Sequence, residues 1–172
     1  RRDGDLRGRG RAGPAVRSRP APLYFDDVEV GSEFTSGERL VTEADLVGFT
    51  EISGDRHPVH TDAAFAAAGP FGQRILQGPF GIAVVLGLFG QFAAFTEAAI
   101  ALTDIGDWRF RAPIFVGDRV LLRMRIAGKT PSRSGRRGLV DRHMTLLKSG
   151  GEIAQDGRMG LLIARRPPAG ST

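Results

Sequence analysis

The residues best suited to chemistry lie together in one short stretch, Ser53-Gly54-Asp55-Arg56-His57-Pro58-Val59-His60. Asp55 supplies a carboxylate and His60 an imidazole, and both groups can hold a water molecule and move a proton near neutral pH. Such a pair suits the addition of water to a double bond, or its removal, and the chemistry requires no metal ion. The residues alone leave a structural alternative open, in which Asp55 caps the loop and His60 is a hydrogen-bonded histidine beside the next helix.

The loop must curl if the two side chains are to share one molecule. Fully stretched, the five steps from Asp55 to His60 would span roughly 16 Å. Gly54 permits a sharp reversal after a helix, and Pro58 fixes its own φ and favours an extended His57. These support residues therefore predict a shaped, curled loop.

Two short helices are predicted to position this loop. Thr42 followed by Asp45 is a typical helix start, and that helix runs to about Ser53. Its predicted buried side chains are Leu46, Phe49 and Ile52. Thr61 or Asp62 caps the second helix, residues 63–68, which Gly69-Pro70 ends.

Residues 75–96 form the most apolar run and contain no charged side chain. That length requires a membrane span to be considered, but Gln77, Pro79, Gln91 and four glycines argue against one. We therefore predict a helix of some twenty residues that starts near Pro79 and is buried on nearly all of its sides inside a single domain.

Alternating apolar and polar side chains predict strands in the rest of the chain. One strand is expected near residues 34–41, others from Thr103 onward, and one at 138–147 that turns at 148–151 into the last strand. The apolar positions of these strands include Trp108, Phe110, Val120, Leu122, Met124, Ile126, Ile153, Met159, Leu161 and Ile163. A long basic loop is expected at 129–137 and a frayed tail at 165–172. One buried helix and a mostly antiparallel sheet predict an α+β fold.

Composition excludes several classes of protein. The 172 residues are 41% hydrophobic, enough for one domain. No cysteine is present, which excludes disulfides and thiolate sites, and the three histidines make a polyhistidine metal site improbable. Residues 1–22 contain seven arginines against Asp3 and Asp5, which accounts for the whole net formal charge of +5. We read this segment as a disordered, solvated arm and do not expect nucleic acid as a partner.

The run from Phe49 to His60 resembles the signature of the MaoC-like dehydratases, the R-specific enoyl-CoA hydratase group. A second stretch, residues 110–118, is similar to the family's F-x-x-P-(apolar)-x-x-G-D turn, and the resemblance covers roughly residues 25–163. It implies that Asp55 and His60 activate a water molecule. His57 stands where the family often has Asn, which affects the detail of the loop.

The resemblance also implies a single hot-dog fold, in which the antiparallel sheet wraps around a long central helix. The domain would span residues 23–165, between the arm at 1–22 and a flexible tail at 166–172. It further implies a cytoplasmic homodimer, or higher homo-oligomer, with pockets at the subunit contact. The substrate would be an acyl-CoA thioester, with no metal, membrane or separate cofactor.

Hydration of an enoyl thioester also needs a group that stabilises the negative charge that develops on the thioester oxygen. Unpaired N–H groups at a helix start are suited to this, so we predict the Gly78 N–H as donor, with Pro79 suited to the first position of the helix. The alternative is a tight start to a core helix. MaoC-like proteins usually have His-Gly here, and Gln77 replaces that His.

The leading hypothesis is therefore a hydro-lyase that adds water to a trans-2-enoyl-CoA or dehydrates a 3-hydroxyacyl-CoA. One rival keeps the fold and hydrolyses the thioester. Another is a non-catalytic acyl-thioester-binding subunit. His143 is interpreted as a strand residue, and Arg133, Arg136 and Arg137 as solvated, although they could meet coenzyme A phosphates.

Overall fold

The computed structural model describes residues 20–168. Residues 1–19 of the predicted arm and residues 169–172 of the predicted tail lie outside this range. Within it the helices are α1 (Glu43–Ser53), α2 (Pro58–Thr61), α3 (Ala63–Ala67) and α4 (Gly78–Phe89), and a 3₁₀ turn covers Ala93–Phe95. The strands are β1 (Glu33–Thr35), β2 (Arg39–Leu40), β3 (Ala99–Phe110), β4 (Arg119–Pro131), β5 (Arg137–Lys148) and β6 (Ile153–Ala164).

All six strands form one antiparallel sheet in the order β1-β4-β5-β6-β3, with β2 also paired to β4. The inner face of the sheet packs on α4. Buried side chains of the helix are Phe80, Val84, Val85 and Leu88, and those of the sheet include Leu122, Met124, Met144, Met159 and Leu161. Each such side chain contributes roughly 1.5–3 kcal/mol by leaving water. The predicted α+β layout, a single hot dog around a central helix, is confirmed.

The central helix is shorter than predicted, because α4 has 12 residues and ends at Phe89. The chain then turns, and the Phe89 ring packs on those of Phe92 and Phe95, each of which also packs on Phe34. The sequence pattern could not predict the end of α4, because the turn that follows is as apolar as the helix. The prediction of burial on nearly all sides is also wrong, because Pro79, Ala83 and Gly87 form an exposed strip at four-residue spacing.

Three side chains predicted on buried faces are exposed, and one of them is Phe110 of β3, which is 57% exposed. Ile52 is 85% exposed because it follows Thr50, a buried residue of α1, by two positions and so points to the opposite side of the helix. Ile153 is 37% exposed at the first position of β6. The strand predicted near residues 34–41 is two strands, β1 and β2. The basic loop predicted at 129–137 comprises only residues 132–136, because β4 and β5 extend into the predicted range.

No helix in residues 20–168 has both the length and the hydropathy needed to cross a membrane.

One charged side chain lies inside the core. Arg142 on β5 is 1% exposed, donates to the carbonyl oxygens of Met159 (3.2 Å) and Gly160 (3.4 Å), and lies 4.5 Å from the Phe89 ring centre. Its Nη1 has no partner in the described part of the chain. Burial lowers the pKa of the Arg142 guanidinium to about 10, although the Asp104 carboxylate opposes this shift.

Replacing Arg142 with methionine is expected to raise the free energy of unfolding by about 1–3 kcal/mol. The charged form is penalised in the folded protein at neutral pH, and Met has a similar volume without a polar group to desolvate. Urea unfolding measures the change. Arg158→Met, which removes an exposed cation paired with Asp141, is the control and should alter stability by less than about 1 kcal/mol. A clear loss of stability in Arg142→Met would contradict this prediction.

Candidate active site

The loop begins at a left-handed residue. Gly54 closes α1 with φ 71°, and its N–H donates to the Thr50 carbonyl oxygen at 2.9 Å. Residues with a side chain rarely adopt this backbone conformation, so the reversal requires glycine. This confirms the turn predicted at Gly54 and directs the chain away from the α1 axis.

The curl after Gly54 is a one-turn helix that the sequence patterns did not predict. Pro58 occupies the first position of α2, and the His57 Nδ1 accepts from the Val59 N–H at 3.2 Å. His57 therefore caps α2 through a ring nitrogen, as an Asn side-chain oxygen would do. Its own N–H donates to Asp55 Oδ1 at 3.3 Å, which orients that carboxylate.

The curl brings the two predicted catalytic side chains together. Asp55 Oδ2 lies 3.5 Å from His60 Nε2, and the exposed fraction of the side chain is 48% for Asp55 and 10% for His60. At that separation one water molecule can contact both atoms. The pair is thus buried on the imidazole side and open on the carboxylate side.

The other nitrogen of His60 is fixed by the backbone. His60 Nδ1 lies 2.8 Å from the Ile75 carbonyl oxygen, which can only accept a hydrogen bond. Nδ1 therefore carries the proton in the neutral ring, and Nε2 presents its lone pair toward Asp55. This arrangement suits His60 to remove a proton from a water held at Nε2.

Gly78 is the first residue of α4, and its N–H has no acceptor within residues 20–168. A side chain at this position would be crowded, since a Cβ atom would lie 3.0 Å from the Phe110 ring. Gly78 lines a cavity of about 260 Å³, together with Phe71, Phe110, Pro113 and Gln155. The free N–H at the positive end of α4 can receive negative charge.

The isolated chain does not place Gly78 and His60 in one cavity. His60 lines a second cavity, of about 300 Å³, with Thr50, Arg56 and Arg74 among its other residues. Gly78 is nonetheless near the residue that holds His60, because it follows Ile75 by three residues, which span at most about 10 Å.

Two buried glutamines, whose contacts sequence patterns could not predict, hold the backbone of the site. Gln77 Nε2 donates to Thr50 Oγ1 (2.8 Å) and to the Asp55 carbonyl oxygen (3.2 Å). Gln155 Nε2 donates to the Gly78 carbonyl oxygen at 2.9 Å, while Gln155 Oε1 accepts from the Trp108 indole at 3.0 Å. The only signal in the sequence was an uncharged polar residue, Gln77, inside a long apolar run.

Comparison with known proteins identifies the family. The model of the MaoC-like domain matches residues 28–146. The chain belongs to the MaoC-like dehydratase family. A 3-hydroxybutyryl-CoA dehydratase from Methylorubrum extorquens is 39% identical over 117 residues, which cover 64% of this chain and 68% of that protein. An (R)-specific enoyl-CoA hydratase from Aeromonas caviae is 32% identical over 98 residues, which cover 57% and 70% of the two chains.

A solved structure also resembles this MaoC-like chain. The MaoC-like dehydratase from Rhodospirillum rubrum superposes with a TM-score of 0.76 and 24% identity, covering 84% of this chain and 99% of the other. At that identity the likeness supports the shared fold.

The histidine and the three arginines that the sequence analysis also considered lie away from the candidate site of this MaoC-like chain. His143 is on β5, where its Nε2 is 3.9 Å from Asp156 and the side chain is 40% exposed. Arg133 and Arg136 lie in the short connection between β4 and β5, and Arg137 is the first residue of β5. None of these three arginines lines either of the two cavities described above.

Proposed function

We propose that this protein is a hydro-lyase that adds water to a trans-2-enoyl-CoA and, in reverse, dehydrates a 3-hydroxyacyl-CoA. The observation that carries the proposal is the Asp55–His60 pair, with Nε2 and Oδ2 3.5 Å apart and Nδ1 held by the Ile75 carbonyl oxygen. The names of the two relatives support the same reaction class. The (R)-specificity of the Aeromonas protein favours an R hydroxy product here.

The reaction balances with one water molecule and no other reactant. The water contacts both Asp55 Oδ2 and His60 Nε2, and His60 Nε2 removes one of its protons as the water oxygen bonds to C3 of the substrate. The C2–C3 double bond is lost, and negative charge moves to the thioester oxygen, where the Gly78 N–H donates to it. The proton then passes from the imidazolium to C2, which restores the neutral ring.

Crotonyl-CoA tests the reaction. Loss of the absorbance of the conjugated enoyl thioester, with no release of free coenzyme A, supports hydration. Release of the free thiol would instead favour the thioesterase alternative. Tight binding of the thioester without any turnover would favour a non-catalytic binding subunit. The predicted cytoplasmic location stays a prediction.

A homodimer joined along β3 is part of the proposal. In the described residues β3 pairs only with β6, so its other edge presents unpaired backbone groups. The large apolar side chains that it exposes are Ile100, Leu102, Ile105 and Phe110. A second copy pairing along this edge would cover them, and it would lie beside the Gly78 cavity because Phe110 lines that cavity.

Ile105→Lys is expected to convert the dimer to a monomer, because it places a charge on the edge that the second copy would cover. Light scattering after size exclusion measures the mass. Ile52→Lys alters a more exposed isoleucine on α1 and should leave the mass unchanged. A wild-type monomer, or a dimer that survives Ile105→Lys, would overturn this arrangement.

A further inference from the structure

Gln77 stands between the two halves of the proposed site. Its side chain is buried, at 2% exposure, and its amide nitrogen binds both α1 and the loop, through Thr50 Oγ1 and the Asp55 carbonyl oxygen. Its main-chain carbonyl carbon forms the peptide bond to the Gly78 nitrogen. Gln77 therefore binds the backbone of Asp55, which supplies the carboxylate. It also precedes Gly78, whose N–H is proposed to bind the thioester oxygen.

The short segment 75–78 binds the His60 ring and the Asp55 backbone, and it carries the Gly78 N–H. The Ile75 carbonyl oxygen accepts from His60 Nδ1 at 2.8 Å, Gln77 binds the Asp55 backbone, and Gly78 presents its own N–H. The segment is itself anchored to the connection between β3 and β4, since the Leu76 N–H donates to the Ile114 carbonyl oxygen at 2.8 Å. If the backbone at Asp55 shifted relative to this segment, the distances from the Asp55 carboxylate to the His60 imidazole and to the Gly78 N–H would both change.

The requirement at position 77 is for a hydrogen-bond donor. Thr50 Oγ1 donates its own proton to the Leu46 carbonyl oxygen at 2.8 Å, so it can only accept from Gln77. The Asp55 carbonyl oxygen is also an acceptor. Gln77 Oε1 has no partner within residues 20–168, although the side chain is buried. An unpaired buried oxygen costs about 1–3 kcal/mol, which indicates that folding stability is not what this side chain serves.

The helix start does not explain Gln77 either. A residue at this position usually caps the helix with its side chain, but the Gln77 side chain makes no such bond. Pro79 has no N–H to cap, and the Phe80 N–H is already satisfied by the Gln77 main-chain oxygen at 3.0 Å. The amide is turned away from α4 toward the Asp55 loop.

We infer that Gln77 is a positioning residue that fixes the Asp55–His60 pair relative to the Gly78 amide. This inference rests on the proposed hydration reaction. It makes the Gln77 amide donor, which does not touch the reacting atoms, a determinant of kcat. Displacement of a reacting group by about 1 Å can cost about 10²-fold in rate.

Gln77→Met removes the donor and the unpaired oxygen while it keeps the length of the side chain. We expect kcat for crotonyl-CoA hydration to fall about 10- to 100-fold, with KM changed by less than about threefold. Gln77→His should recover most of this loss, because the imidazole Nε2 lies as many bonds from Cα as the glutamine amide nitrogen and can donate from there.

A control variant separates positioning from stability. Ser36→Ala removes the hydrogen bond that Ser36 Oγ, just after β1, accepts from the Leu122 N–H of β4 (2.9 Å); Ser36 lines neither cavity, so the change should lower the thermal midpoint without lowering kcat. A Gln77→Met protein with wild-type kcat would overturn the inference. So would equal losses in Gln77→Met and Gln77→His, since they would show that the donor is not what matters.

A second measurement does not depend on activity. Amide hydrogen exchange of residues 54–60 should be faster in Gln77→Met than in the wild type, with exchange of β5 and β6 unchanged. If the wild type hydrates no enoyl thioester but exchange responds in this way, the proposed reaction fails and the contact between Gln77 and the loop is upheld. If the wild type is active and neither exchange nor kcat responds, the positioning role alone is overturned.

Discussion

His60→Gln is expected to lower kcat for enoyl thioester hydration by about 10²–10⁴-fold. Glutamine places its amide nitrogen as many bonds from Cα as His60 Nε2, so it replaces the reacting nitrogen and not Nδ1, which lies 2.8 Å from the Ile75 carbonyl oxygen. It cannot take a proton from water at neutral pH. Steady-state kinetics with crotonyl-CoA measures the loss, and the thermal midpoint verifies that the variant is folded.

The same substitution elsewhere provides the control. His143→Gln changes a strand histidine that lies outside both cavities, 3.9 Å from Asp156, and should leave kcat within about twofold of the wild type. Equal losses in the two variants, or a His60→Gln enzyme with normal kcat, would remove His60 from the mechanism.

Asp55→Asn is expected to lower kcat by about 10²–10³-fold. The amide oxygen can still accept from the His57 N–H, so the shape of the loop is kept, but the negative charge beside Nε2 is lost. The carboxylate is needed both to hold the water and to stabilise the imidazolium that forms during the reaction. Kinetics with crotonyl-CoA measures the effect.

Asp62→Asn is the matched control for this change. Asp62 caps α3 through bonds to the N–H groups of Ala64 and Phe65, and Asn is an equally good cap, so kcat should not change. The double variant Asp55→Asn/His60→Gln should be scarcely worse than the more impaired single variant, because the two groups act on one water. Fully multiplicative losses would indicate that they act independently.

Local features of the site could be predicted from the sequence because their causes are local. Gly54 is required by a left-handed turn, and Pro58 fixes its own φ within the curled loop. The one-turn α2 was missed because four residues are too few to display a helical period. Its formation is nevertheless what brings Asp55 and His60 together.

The contacts between distant segments could not be predicted in this way. Gln77 reaches Thr50 and Asp55 across 27 and 22 residues of sequence. No periodic pattern encodes such a bond, because it depends on how α1 and α4 pack in the folded chain. The end of α4 is a similar case, since Phe89 and Phe92 belong to one apolar run and only their packing separates helix from turn.

The most direct test is a crystal structure of the His60→Gln protein with crotonyl-CoA bound. The proposed mechanism predicts the thioester oxygen within about 3 Å of the Gly78 nitrogen. It also predicts that C3 faces Asp55 and residue 60, with room for one water molecule between them. A thioester bound with its oxygen away from Gly78, or with C3 on the far side of the segment 75–78 from Asp55, would contradict the mechanism.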